Sequence, residues 1–216
     1  MNRKLAIPFV PVAAPDGLIS LADSQHDITV LLETWSSSDA GDTYQLLLDG
    51  NPVGPIKELP DPVPEEGSEL MLTVPLEYIE QDGVYGVAYK ATNVLGQASA
   101  TSGSVPIRID RTAPGAALLA AMVFPAEPFG DQVTGLVPGY GGMEQGDIIQ
   151  TLCNKTHGPL HVVQADELTL RPIEITFERE FLESVGTENV TIEYLVTDRA
   201  GNESIISLPV ELFLQL

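Results

Sequence analysis

The sequence predicts an all-β chain built as two tandem antiparallel β-sandwich domains. Three observations carry this: a repeat at an offset of 105 residues, short β-rich runs punctuated by turn residues, and 17 prolines spread along the chain. A chain of 216 residues suits two domains of about 100 residues each.

The repeat is the strongest signal. At an offset of 105, Ile28-Thr29-Val30-Leu31-Leu32 meets Val133-Thr134-Gly135-Leu136-Val137, and Trp35 meets Tyr140. Gly41-Asp42 meets Gly146-Asp147, Gln45 meets Gln150, and Leu47 meets Leu152. Tyr89, Thr92, Gly96 and Ser99 meet Tyr194, Thr197, Gly201 and Ser204. The match reads as ungapped from residue 28 to residue 99. A two-residue gap then sets Val105-Pro106-Ile107 against Leu208-Pro209-Val210. The expected domains are 1–111 and 112–216, joined at Asp110-Arg111-Thr112-Ala113-Pro114-Gly115, where Pro and Gly suit a short, stiff linker.

In chain order, the predicted strands of the first copy are Ile28 to Leu32, Tyr44 to Leu48, Leu70 to Val74, Val84 to Ala91 and Val105 to Ile109. Leu208 to Leu214 closes the second copy. Asp49-Gly50 before Asn51-Pro52 is a turn signal. Proline excludes long helices and leaves helical turns only at Glu77 to Asp82 and Glu178 to Ser184. A repeat of this length matches a whole seven-strand sandwich rather than a helical solenoid unit.

Ten basic against 31 acidic residues give a net charge of −21. The acidity divides evenly between the halves, so it is not an appended tail. Such a field repels phosphate backbones and anionic lipid, which argues against nucleic-acid and membrane-surface partners. Cys153 is the single cysteine, so no intrachain disulfide forms. No apolar run reaches the roughly 18 residues of a membrane span. Met1-Asn2-Arg3-Lys4 and the apolar residues after it resemble a short signal peptide, but Pro8 and Pro11 interrupt the run. The segment reads as an extended first strand, and both export by another route and an intracellular place stay open.

Asp82 to Gly96, with Tyr85-Gly86-Val87-Ala88-Tyr89 at its centre, resembles strand F and the F–G turn of fibronectin type III domains. Val190 to Ser204, containing Asp198-Arg199-Ala200-Gly201-Asn202, resembles the end of bacterial immunoglobulin-like repeats. Ile109-Asp110-Arg111-Thr112-Ala113-Pro114 is similar to the junction between such repeats in large bacterial surface proteins. Tyr140 to Asp147 is similar to a segment recurring in proteobacterial exported proteins. The resemblance implies two tandem immunoglobulin-like antiparallel β-sandwich domains of an adhesin-type protein. Such domains are scaffolds, so it implies little about a ligand. Tyr85 has Val190 opposite it, which confines a tyrosine-corner hydrogen bond to the first domain.

Several residues have two readings. The Gly-Asp pairs at 41–42 and 146–147 present a carboxylate to a ligand or, more simply, cap a turn in which Gly takes positive φ. Trp35 and Tyr140 are candidate sugar-stacking aromatics or core anchors. His157 and His161 have helical ligand spacing, but Gly158-Pro159 between them breaks a helix and no third ligand is near. Cys153 reads as a buried thiol. In tandem sandwiches Asp110 would meet Asp198, Asp147 and Glu203 at the junction, with Glu144 beside them. Those hard oxygens suit Ca²⁺, while Arg111 and Arg199 offer the same carboxylates neutralisation without metal.

No acid, base and nucleophile set converges in the sequence, so an enzyme is not expected. The expected function is a structural or adhesive module that spaces or presents a binding element of a bacterial exported or surface protein. A virion or filament component, with Met1 to Val12 adding as an edge strand to a neighbour, is one alternative. A carbohydrate-binding module is another. Partners are a protein, a glycan or further copies of the chain.

Overall fold

The computed structural model describes residues 5–95, 98–115, 117–125 and 130–214. Gly96, matched in the repeat, and Met1 to Lys4 of the leader-like segment lie outside them. The chain forms two compact units, Met1–Arg111 and Thr112–Leu216. Their core clusters share no residue.

In the first unit, β1 (Ile28–Glu33) pairs antiparallel with β4 (Glu69–Val74). The second sheet runs β3 (Asn51–Glu58), β2 (Thr43–Leu48), β5 (Gly83–Thr92), with β6 (Ser99–Thr101) and β7 (Val105–Ile109) both on β5. The second unit repeats the plan. Here β8 (Gln132–Val137) pairs β11 (Ile173–Glu178), and the facing sheet runs β10 (Thr156–Val162), β9 (Ile148–Cys153), β12 (Asn189–Thr197), β13 (Val210–Phe213). This is the immunoglobulin-like sandwich. Two helical turns fall close to their predicted places, a 3-10 turn at Leu76–Tyr78 and a helix, α1, at Arg179–Val185, while 3-10 turns at Asp23–Gln25 and Ala165–Leu168 form where none was expected.

Burial alternates as a half-buried strand requires. Along β11, Ile173, Ile175 and Phe177 are buried while Glu174, Thr176 and Glu178 are exposed. On β12, Val190, Ile192, Tyr194 and Val196 face the core. Each such aliphatic side chain contributes about 1.5–3 kcal/mol on burial.

The pairing registers correct the sequence alignment in two places. Val105 pairs with Val87 and Val210 with Ile192, so the offset of 105 holds through the last strand and no gap precedes it. Ser102 and Ser207 keep the same offset, each accepting the amide of Tyr89 or Tyr194 on Oγ at 3.0 Å. The irregularity lies earlier. Val74 stands opposite Ile28, and Phe177 opposite Val133, so β11 follows β4 at an offset of 103. Two residues are lost across the β3 to β4 region and restored before β12. Low-information Pro and Glu residues there hide the slip from a linear comparison.

Three strands escaped the sequence reading, the short β6 and the hairpin partners β3 and β10. β3 carries Pro52, Gly54 and Pro55, and β10 carries Gly158 and Pro159, which are residues that argue against a strand. Both are edge strands and both are irregular opposite β2 or β9. Gln45 and Gln150 fix the irregularity alike, donating from Nε2 to Gly54 O at 3.1 Å and Gly158 O at 2.9 Å.

The leading segments differ, which is why the repeat begins only at β1. Phe9 exchanges two 2.8 Å hydrogen bonds with Leu31 before the chain crosses to lie parallel to Arg108. In the second unit Leu119 first accepts from Leu208 N, and Val123 then pairs with Leu136. Tyr85 donates to Gln81 O at 2.8 Å, the tyrosine corner expected of the first unit.

Both β2–β3 and β9–β10 hairpins turn through two positive-φ residues, Asp49-Gly50 and Asn154-Lys155. Asp49 Oδ1 accepts from Gly86 N at 2.7 Å, and Asn154 Oδ1 from Thr191 N at 2.9 Å. Asn154 also donates from Nδ2 to Val185 O. Replacing Asn154 with Ala removes both exposed bonds and should lower the second unit's stability by about 1 kcal/mol. Asn154→Asp, the first unit's own residue, should cost less because the Thr191 bond survives. Urea unfolding of the two variants checks the order.

Candidate functional site

Chemistry-bearing side chains gather where the β1–β2 and β8–β9 loops close each sandwich. In the first unit Gly41 takes φ +85° and turns Asp42 fully inward. Asp42 Oδ1 accepts from Val94 N at 2.8 Å and Oδ2 from Asp39 N at 3.3 Å, while its carbonyl accepts from Leu59 N. One aspartate thus fastens three loops. Trp35 is buried in this unit's core, edge-on to Tyr44 with ring centroids 6.2 Å apart. A ring packed into the core has no face left for a sugar.

The second unit rebuilds this corner with different partners. Gly146 has φ +96°, and a Cβ there would stand 2.9 Å from Arg199 Cδ, so glycine is required. Asp147 is buried; its Oδ2 accepts from Tyr140 OH at 2.9 Å and from Glu144 N at 3.0 Å. Its Oδ1 is buried without a hydrogen-bond partner. Burial pushes the Asp147 carboxyl above its ordinary value. The Glu144 amide and Tyr140 hydroxyl offset this only in part, and the charges of Asp198 and Glu144 add to it. Tyr140, half-buried against the core, is itself pushed up by burial and then by Asp147, which keeps it a donor.

The carboxylates named as calcium ligands sit as follows. Asp198 Oδ1 accepts from Gly201 N and Asn202 N, and its Oδ2 from Asn202 Nδ2, all at 2.8 Å; it folds its own loop. Glu203 is exposed at a bridge to Thr197. Asp110 belongs to the first unit and is half-buried. Among the described residues no three His, Cys, Asp or Glu side chains assemble as a metal site. Arg111 departs from the carboxylate pairing considered for it: its guanidinium donates to Ile79 O at 2.6 Å and to Ser24 O, and only its amide meets a carboxylate, Asp82.

A buried cluster here was missed in the sequence. Glu167, its side chain wholly buried, holds His161 Nε2 at 2.8 Å and Gln164 N at 2.7 Å on Oε2, and Arg171 Nη1 at 2.8 Å on Oε1. Arg171 Nε also meets Asp166 at 2.6 Å. Burial alone would raise the Glu167 carboxyl, but the hydrogen bonds from His161 and Gln164 and the charges of His161 and Arg171 bring it below its ordinary value. The signal was Gln164-x-x-Glu167, a capping-box spacing realised at the 3-10 turn Ala165–Leu168. The β10 irregularity sets His157 opposite Leu152 and His161 opposite Ile149, on different faces of the sheet. The two histidines therefore do not share a ligand. Cys153 is fully buried, and burial pushes its thiol up to about 11, which makes it a core residue with little thiolate. Taken together, these groups brace loops.

No family model and no curated protein sequence matches the chain. Solved structures do. One, of a 1.5-MDa bacterial ice-binding adhesin, covers 99% of this chain and 65% of its own at 14% identity, with a TM-score of 0.50. The fold is similar to a bacterial adhesin's. This chain spans about two thirds of that structure, and at such identity the likeness reaches the fold and nothing finer. Fibronectin(III)-like modules of Clostridium thermocellum CbhA match 96% of this chain and 94% of theirs at 12% identity and a TM-score of 0.46. Dimeric latent PorU from Porphyromonas gingivalis matches 97% and 19% at 11% identity and 0.32.

Opposite pH signatures follow from the two buried carboxylates. Asp147 has a folded value raised above 3.8, so protonating it favours the fold, and its contribution grows as pH falls from that raised value toward 3.8. Glu167 has a folded value lowered below 4.5; its stabilisation is present above 4.5 and is lost as pH falls through the lowered value. Relative to the parent, Asp147→Asn should lose stability on acidification through the first window, and Glu167→Gln should become relatively less destabilising through the second. Thermal melts between about pH 3 and 7 read both differences.

Proposed function

We propose that the chain is a non-catalytic structural module of a bacterial exported or surface protein, acting to space or present a binding element. What carries this reading is that each unit closes its own core and uses its buried polar side chains on its own loops. Asp42 ties three loops, Asp198 caps one, and Glu167 is held by hydrogen bonds from His161 and Arg171. Groups held this way stiffen a scaffold. Similarity of fold to an adhesin studied for its retention at the host cell surface supports the surface setting. The charge of −21 keeps such a chain apart from nucleic acid and anionic lipid. No helix among the described residues is long and apolar enough to cross a membrane.

No observation favours the other readings. Phe9 already pairs with Leu31 of its own fold, and the Trp35 and Tyr140 rings are engaged internally.

A spacer must bear extension one unit at a time. Pulled between its ends, the chain should unfold in two separate events, each releasing about 33 nm of contour for roughly 105 residues. A single event of about twice that length contradicts the modular reading. Single-molecule force spectroscopy makes the measurement.

A further inference from the structure

Duplication makes each unit a control for the other. Along the outer face of the β3–β2–β5 sheet Leu47 pairs with Ala88 and Ile56 is 65% exposed, but the end where β2 begins is polar. Thr43 lies there between Glu58 and Thr92, and Lys90 stands opposite Gln45. Glu58 and Lys90 are exposed. A sheet face turned to water reads this way by default.

The same register positions of the second unit read differently. Ile148 lies between Val162 and Thr197, and Leu195 stands opposite Gln150, next to Leu160. Thr43, Glu58 and Lys90 have thus become Ile148, Val162 and Leu195 while Gln150 is kept. Ile148 is 38% exposed, Val162 41% and Leu160 56%. The neighbouring pair is Leu152 with Glu193. The inward positions of these strands are filled by Ile149, Thr151, Ile192, Tyr194 and Val196, so the outward apolar residues are additional to the core. Ile148, Val162 and Leu195, gained where the sister unit is polar and adjoining Leu160, whose counterpart is Ile56, mark an interaction surface.

Two features define the occupant. The irregular Gly158-Pro159 segment blunts the β10 edge, so the contact is made on the face and not by strand addition. The face has lost both Glu58 and Lys90 of its sister, and its charged side chain is Glu193, in a unit that is itself strongly acidic. A second copy would bring like charges together, each chain carrying −21.

We propose that the outer face of β10, β9 and β12 docks a basic protein partner, one that presents apolar side chains bordered by lysine or arginine. The docking face does not depend on the spacer role. It holds whether or not the two units unfold separately under load.

The test uses the full chain and a peptide of about 14 residues alternating leucine and lysine, which is apolar on one side and basic on the other when extended. A matching leucine–glutamate peptide is the control. The variant I148T/V162E/L195K restores the first unit's residues and leaves net charge unchanged, so it removes the apolar face without altering long-range attraction. The proposal expects saturable binding of the basic peptide and methyl shifts at Leu160 and Leu195 in the parent chain. Affinity should fall about tenfold or more in the variant. The methyl mapping on the parent decides even if the variant folds poorly. Equal binding by the variant, shifts centred away from this face, no binding, equal binding of the acidic peptide, or a stable dimer in sedimentation each overturns it.

Discussion

Everything in this molecule rests on alternation of buried and exposed side chains along short strands, because no covalent bond closes either unit. The one cysteine, Cys153, lies inside the second core as an apolar filler. Stability must therefore come from facing rows such as Val30, Leu72 and Ile107 in the first unit and Ile175, Ile192 and Val196 in the second. With about a hundred residues to work with, a unit buries enough surface for this only if the two sheets face each other closely. The corner aspartates serve that end, holding the loops that would otherwise leave the sandwich open.

Comparing the two copies separates what the fold needs from what varies. The Gly41-Asp42 and Gly146-Asp147 corners, the Gln45 and Gln150 brackets on the edge strand, and the Ser102 and Ser207 acceptors recur with the same geometry. The partners of the corner aspartates and of the core tyrosines do not. Asp42 is satisfied by main-chain amides, whereas Asp147 binds a tyrosine hydroxyl and leaves one oxygen unpaired. Tyr89, whose hydroxyl is buried without a partner, is pushed up to about 12 by burial and by Glu33; Tyr194 finds Ala120 O at 2.8 Å. Change has concentrated where the scaffold tolerates it, in loops and on outer faces.

Much of this was legible in the sequence, for physical reasons. Period-two patterns in Ile28 to Leu32 and Val84 to Ala91 and the Asp49-Gly50 turn each express a local rule, and the duplication reads them twice. What escaped obeys no local rule. β3 and β10 contain the residues that break strands, and exist because β2 and β9 offer hydrogen bonds to an edge that tolerates proline. The displaced two-residue slip became visible only through cross-strand register. The Glu167 cluster joins residues that look like ordinary surface charge until the loop folds over them. Arg111 was weighed against carboxylates, yet it caps main-chain carbonyls, partners that sequence cannot display.

The account depends on the second unit being able to fold without help from the first. Expressing residues 112–216 alone and following their thermal unfolding by circular dichroism together with tyrosine fluorescence tests this most directly. The account predicts one cooperative transition, coincident in both signals, within a few degrees of that unit's transition in the whole chain. A broad, non-coincident loss of structure, or a fragment with no near-ultraviolet signal, would show that the core needs its neighbour and would contradict the account.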